Sequence, residues 1–153
     1  MLEKYQRVIT KVKDEITRDF TSFGSLPINA ILLLLFAIVP RTLTLGILGL
    51  LLVDGISIII KALWFKDRPN KEHHANFYER ILSSSFPSVH TARSTFTALF
   101  LFSTTTLWLG WIFILLPITV GITRIQLKKH FWKDVIGGYL LGFLVFYIVS
   151  TLL

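Results

Sequence analysis

The stretch that decides the fold is "STFTALFLFSTTTLWLGWIFILLPITVGIT", Ser94–Thr123, 30 residues without one Asp, Glu, Lys or Arg. As a single helix rising about 1.5 Å per residue it would reach about 45 Å, against a bilayer hydrocarbon core of about 30 Å. It is too long for one crossing and must fold back, with the turn expected near Leu109-Gly110-Trp111. That predicts spans near 88–109 and 111–127, the second kinked at Pro117.

Other charge-free runs extend the pattern. Residues 135–153 and 20–40 carry no charged side chain, and 42–60 carry only Asp54. Charged residues are 16% of the 153-residue chain, 53% is hydrophobic and the mean hydropathy is +0.65. A soluble domain has about 25% charged residues. The expected fold is all-α: a polytopic membrane helical bundle of about five membrane segments, at 26–39, 42–65, 88–109, 111–127 and 131–153. The first is short, and Pro40-Arg41 breaks it from the second. Leu2, Tyr5, Ile9, Val12, Ile16, Phe20 and Phe23 recur at three- and four-residue steps. They predict an N-terminal amphipathic surface helix over residues 1–23. The whole, 1–153, reads as one membrane-embedded domain.

The absence of cysteine excludes a disulfide framework, a thiolate metal site and a cysteine nucleophile. No cleavable leader is visible in the charged first 20 residues. The net charge of +7 would suggest nucleic acid in a soluble protein. In so apolar a chain it points instead to the bilayer surface or an anionic substrate, so no nucleic-acid partner is expected.

Following the chain up and down places three polar clusters on one membrane face. The first is Lys61 to Arg68 at the end of one span. The second is Ser88 to His90 at the start of the next, and the third is Arg124 to Asp134 between the last two. Ionisable groups at membrane depth are a functional hypothesis by default. Lys61 and Arg68 are seven apart, and His130 and Asp134 four apart, so each pair shares a face if the helix persists. Pro87 before Ser88, Val89 and His90 marks a helix start, whose free amides suit an anion.

Lys61, Arg68 and Arg124 around one point would bind a phosphate. Asp134 would orient His130 so that its other nitrogen is a nucleophile, and His90 would protonate a leaving oxygen. Together they read as phosphoryl transfer through a phosphohistidine, stabilised by the cations. Nothing in the set requires a metal or cofactor, and three cations would oppose a metal at the histidines.

These motifs resemble the type 2 phosphatidic acid phosphatases. "KALWFKDRP" (Lys61–Pro69) is similar to their K-x6-R-P, "PSVH" (Pro87–His90) to P-S-G-H, and "TRIQLKKHFWKD" (Thr123–Asp134) to S-R-x5-H-x3-D. Order and internal spacing agree over residues 61–134. The resemblance implies a metal-independent lipid phosphatase with His130 as nucleophile, Asp134 as its partner and His90 as acid. Lys61, Arg68, Ser88, Val89 and Arg124 would hold the phosphate. Val89 stands where the family has glycine, which crowds the site, and Thr123 stands for serine. Family members commonly have six spans; here the first is missing or replaced by the surface helix.

Other residues have plainer readings. Arg93 either touches substrate or pairs with an acid such as Asp67. Asp54, mid-span, reads as a structural partner for a polar group on a neighbouring span. His73 and His74 lie in a solvated loop, and Trp64, Trp108, Trp111 and Trp132 in an interfacial belt. Gly137-Gly138 and Gly142 would permit close helix contact, and oligomeric state is not legible. The competing function is a non-enzymatic lipid-phosphate binder or transport protein, which needs the cations but no nucleophilic histidine. A phosphotransferase would share every motif with a hydrolase.

The resemblance suggests a bacterial inner-membrane protein acting on lipid A 1-phosphate, phosphatidylglycerol phosphate, undecaprenyl pyrophosphate or phosphatidic acid. It favours an extracytoplasmic site. The charge count opposes this: if 26–39 spans, 15 of 16 Lys and Arg share the catalytic face, the cytoplasmic signature.

Overall fold

The structure, a computed structural model, describes residues 2–37, 39–70, 76–105 and 107–153. His73 and His74 lie outside the described residues. Among the described residues seven helices follow one another: α1 (Leu2–Ser22), α2 (Leu26–Phe36), α3 (Pro40–Leu63), α4 (Phe77–Ser83), α5 (Val89–Thr104), α6 (Leu107–Gln126) and α7 (Trp132–Ser150). No strand occurs among the described residues. The all-helical membrane bundle is as the sequence predicts. α3 and α7 are each long and apolar enough to cross a bilayer. α1 and α2 form a pair bent by 54°.

α5 is the centre of the bundle and packs against α2, α3, α6 and α7. Its Phe96, Phe100 and Leu101 are fully buried among Leu33, Leu50, Val53 and Val145. Large apolar side chains such as Leu51, Ile59, Leu115, Leu140 and Phe143 are exposed on the outside. A soluble bundle would hide such a belt, whereas lipid accommodates it.

Two boundaries differ from expectation. The fold-back within the 30-residue run comes early, with α5 ending at Thr104 and α6 starting at Leu107. The hydroxyls of Ser103 and Thr104 bond to the Phe100 carbonyl at 2.8 and 2.9 Å, and that of Thr105 to Leu101 at 2.6 Å. This hydroxyl-rich run competes with the helix ladder and ends it. Gly110 is used for packing instead: a methyl there would lie 2.7 Å from the Phe102 ring. The second difference is α4, inside the expected loop of residues 66–86. Asn76 Oδ1 accepts from the Glu79 amide at 2.8 Å. An Asn followed by Glu three residues on is a helix-start signal that the sequence carried.

The glycines of α7 perform the close contact expected of them. A methyl on Gly138 would lie 2.6 Å from the Ser88 carbonyl oxygen, and one on Gly142 2.5 Å from that of Ala92. The backbones of α5 and α7 thus touch, which no larger residue would allow. Gly142→Val should lower stability in detergent micelles by about 1–3 kcal/mol through overpacking. Gly55→Ala on α3, where a methyl meets nothing within 4 Å, should raise it by about 0.5–1 kcal/mol. Thermal unfolding of the two variants checks both signs.

Candidate active site

Each site residue reaches its place by a local route. Lys61 lies in the last turn of α3. The helix stops at Leu63, so Arg68 is not on a shared helical face as the seven-residue spacing predicted; an irregular segment delivers it. His130 likewise precedes α7, which begins at Trp132 with Phe131 as N-cap. Between Arg124 and His130 the chain turns tightly through Lys128 at φ 52°. The amides of Lys129 and His130 both donate to the Arg124 carbonyl, at 3.2 and 3.3 Å. This turn lays the imidazole beside the guanidinium, two residues before α7 begins.

Lys61, Arg68, Val89, His90, Arg93, Arg124 and His130 line one cavity of about 240 Å³, together with Asp54 and apolar walls from Ile58 and Leu82. The three clusters therefore meet around a single space. Ser88 and Asp134 are fully buried and do not line it. The Ser88 hydroxyl pairs with that of Thr91 at 2.9 Å, and its amide donates to the Asp134 carbonyl at 3.0 Å. Val89 and His90, the first residues of α5, carry amides of the kind a helix leaves unpaired.

The histidine is not held by Asp134. His130 Nδ1 donates to the backbone carbonyl of Ser85 at 2.6 Å. A carbonyl oxygen only accepts, so the proton sits on Nδ1 and Nε2 is unprotonated. Its lone pair accepts from Arg124 Nη2 at 3.4 Å. The Asp134 carboxylate serves elsewhere: Oδ1 pairs with Lys66 Nζ at 2.5 Å and Oδ2 accepts from the Phe131 amide at 2.8 Å. The expected i, i+4 pairing fails because His130 lies outside the helix that carries Asp134.

Two other cavity cations are also fixed by main-chain oxygens of the same segment. Lys61 Nζ donates to the Ser84 carbonyl at 2.6 Å, and Arg68 Nη2 to that of Leu82 at 3.1 Å. Arg93 makes a two-pronged pair with Asp54, at 2.6 and 3.0 Å. Asp54 is thus the cross-span partner expected of it, and Arg93's acid is Asp54 rather than Asp67. The sequence reading missed Lys66, Ser84 and Ser85. Main-chain acceptors carry no sequence signal, but a buried Asp134 needs a cation, and Lys66 was the unassigned one in the first motif.

The electrostatic result is a neutral imidazole in a positive pocket. Burial first, then the Arg124 guanidinium, push the His130 pKa from 6.5 down to about 2; the Ser85 hydrogen bond opposes this, and Lys61 and Arg68 add to it. The imidazole accordingly stays uncharged with Nε2 available.

The fold and pocket define an integral-membrane helical protein with a cation-lined site, and its family makes it a membrane lipid phosphatase. The sequence profile of the PAP2 superfamily matches residues 42–153, and the chain belongs to that superfamily. The crystal structure of LpxE from Aquifex aeolicus superposes with a TM-score of 0.75 at 25% identity, covering 92% of this chain and 86% of that one. The crystal structure of the first transmembrane PAP2 type phosphatidylglycerolphosphate phosphatase from Bacillus subtilis gives 0.63 at 24% identity, covering 99% and 85%. Among curated proteins, none matches the sequence.

Histidine ¹⁵N NMR of the ligand-free protein should show His130 as the Nδ1–H tautomer, unchanged from pH 8 to 5. An unfolded chain would take up a proton at this residue below about pH 6.5 that the folded one refuses. His130 therefore weakens the fold as pH falls through that range, and His130→Asn should lessen the acid loss of melting temperature.

Proposed function

We propose that the cavity hydrolyses a lipid phosphomonoester or pyrophosphate through a phosphohistidine on His130, without a metal. The observation that carries this is the unprotonated Nε2 of a neutral His130, accepting a 3.4 Å hydrogen bond from Arg124 in a pocket that Lys61, Arg68, Arg93 and Arg124 line. The phosphate oxygens take the cations, with the Arg68 and Arg124 forks suited to two oxygens each. The amides at Val89 and His90 add donors, and Ser88 supports that helix start rather than touching phosphate.

The Nε2 lone pair forms the N–P bond while the P–O bond to the lipid breaks, and His90 gives its proton to the departing oxygen. The phosphate's negative charge is what lets a protonated His90 sit among four cations. His90 then takes a proton from water as that water attacks phosphorus, the N–P bond breaks, and phosphate leaves with His130 neutral again. Asp134 acts at a distance, anchoring Lys66 and the start of α7.

The cavity, about 240 Å³, equals the liquid volume of about eight waters. It suits the phosphate and the first atoms beyond it, while acyl or prenyl chains stay in the bilayer. Substrate candidates are lipid A 1-phosphate, phosphatidylglycerol phosphate, undecaprenyl pyrophosphate and phosphatidic acid.

Purified protein given each of these lipids in chelator should release phosphate, be inhibited by vanadate, and lose at least about a thousandfold in His130→Ala. Activity that requires an added divalent metal would overturn the reading. Tight lipid-phosphate binding with no release would make the protein a binder.

The site is assigned to the extracytoplasmic face of a bacterial inner membrane. The basic residues that argue otherwise include Lys61, Lys66, Arg68, Arg93 and Arg124, which the pocket and its supports use. The chain has no cysteine, so Lys133→Cys introduces a single label. A membrane-impermeant maleimide should modify it in intact spheroplasts; modification only after permeabilisation would place the site inside.

A further inference from the structure

The turn between α1 and α2, Phe23-Gly24-Ser25, lies outside the residues that match the superfamily profile, yet it touches the site. A methyl on Gly24 would lie 2.6 Å from His90 Cβ, 2.9 Å from the His90 carbonyl oxygen and 2.9 Å from Val120 Cγ1. Such distances are not reached by real carbon contacts, so the glycine backbone is seated directly against the root of the His90 side chain. The turn is itself fixed. Asn29, buried to 1% exposure, donates its amide to the carbonyls of Phe23 at 2.8 Å and Ser25 at 2.7 Å. Its flanking helices are held as well, α1 against α6 and α2 against α5.

His90 lies in the first turn of α5, where a helix has few of its own bonds to restrain it. Its imidazole faces the cavity, and its Cβ, which sets the ring's direction, has Gly24 behind it. We propose that Gly24 is a positioning residue for the proton-donating step: the α1–α2 turn is a backstop that fixes His90 toward the leaving oxygen. This rests on the reading of His90 as proton donor given above. The N-terminal helices then belong to the active site, although none of their residues need touch substrate.

The leaving group separates positioning from mere folding. A departing lipid alkoxide needs His90's proton, and 4-nitrophenolate does not. Turnover of dioctanoyl phosphatidic acid and of 4-nitrophenyl phosphate should be compared for the parent, Gly24→Ala, Asn29→Ala and His90→Ala. Gly24→Ala should lower kcat/KM, which reports leaving-group departure and not the water attack shared by both substrates, about ten- to a hundredfold on the lipid and leave that on 4-nitrophenyl phosphate within about twofold. Asn29→Ala, which frees the turn without adding an atom, should show the same selectivity more weakly, and it decides the matter if Gly24→Ala does not fold. Equal loss on both substrates, or no loss on either, in a folded variant would overturn the proposal while leaving the phosphatase reading intact. Should His90→Ala itself fail to discriminate between the substrates, the proton-donor reading falls and this inference with it.

Discussion

The site depends on a short run of main-chain oxygens. The carbonyls of Leu82, Ser84 and Ser85 receive Arg68, Lys61 and His130 in turn. A carboxylate in that place would hold the same donors more strongly but would cancel their charge. Neutral dipoles fix the geometry and leave the cations' charge for a phosphate. Burial and Arg124 keep His130 uncharged, and the Ser85 dipole opposes them less than an anion at Nδ1 would. The segment is placed by its own contacts: the Ser85 amide donates to the Lys66 carbonyl at 2.8 Å, and Ser84 Oγ accepts from the Lys66 amide at 3.1 Å.

The carboxylates are kept to specific partners. Asp134 takes Lys66 and the start of α7, and Asp54 takes Arg93. Each links two elements distant in sequence, α7 to the segment after α3, and α3 to α5. The glycine contacts of α7 with α5 bring the Asp134 carbonyl to the Ser88 amide, so the second and third motifs are joined by backbone as well. Helix packing, ion pairs and main-chain bonds therefore converge on the same small volume.

Much of this was legible in the sequence. Charge-free runs set the helical membrane class, and the spacing of Lys61, Arg68, His90, Arg124 and His130 anticipated a shared pocket. The two misplaced pairs share a cause. Periodicity assumes a continuing helix, and α3 ends before Arg68 while α7 begins after His130. The residues were rightly grouped, but the route that joins them was not the one inferred. The Ser85 carbonyl was invisible because any residue supplies one. The early end of α5 was written in the hydroxyls of Ser103, Thr104 and Thr105, beside a more conspicuous Gly110.

Anchoring through the main chain means that the oxygen holding His130 does not depend on which residue stands at 85. Serine there can be exchanged over evolutionary time so long as the chain path and its buried space survive, because the oxygen that matters is common to all amino acids. Scaffold and chemistry can then outlast the letters that encode them, and a quarter of identical residues is enough to accompany a TM-score of 0.75.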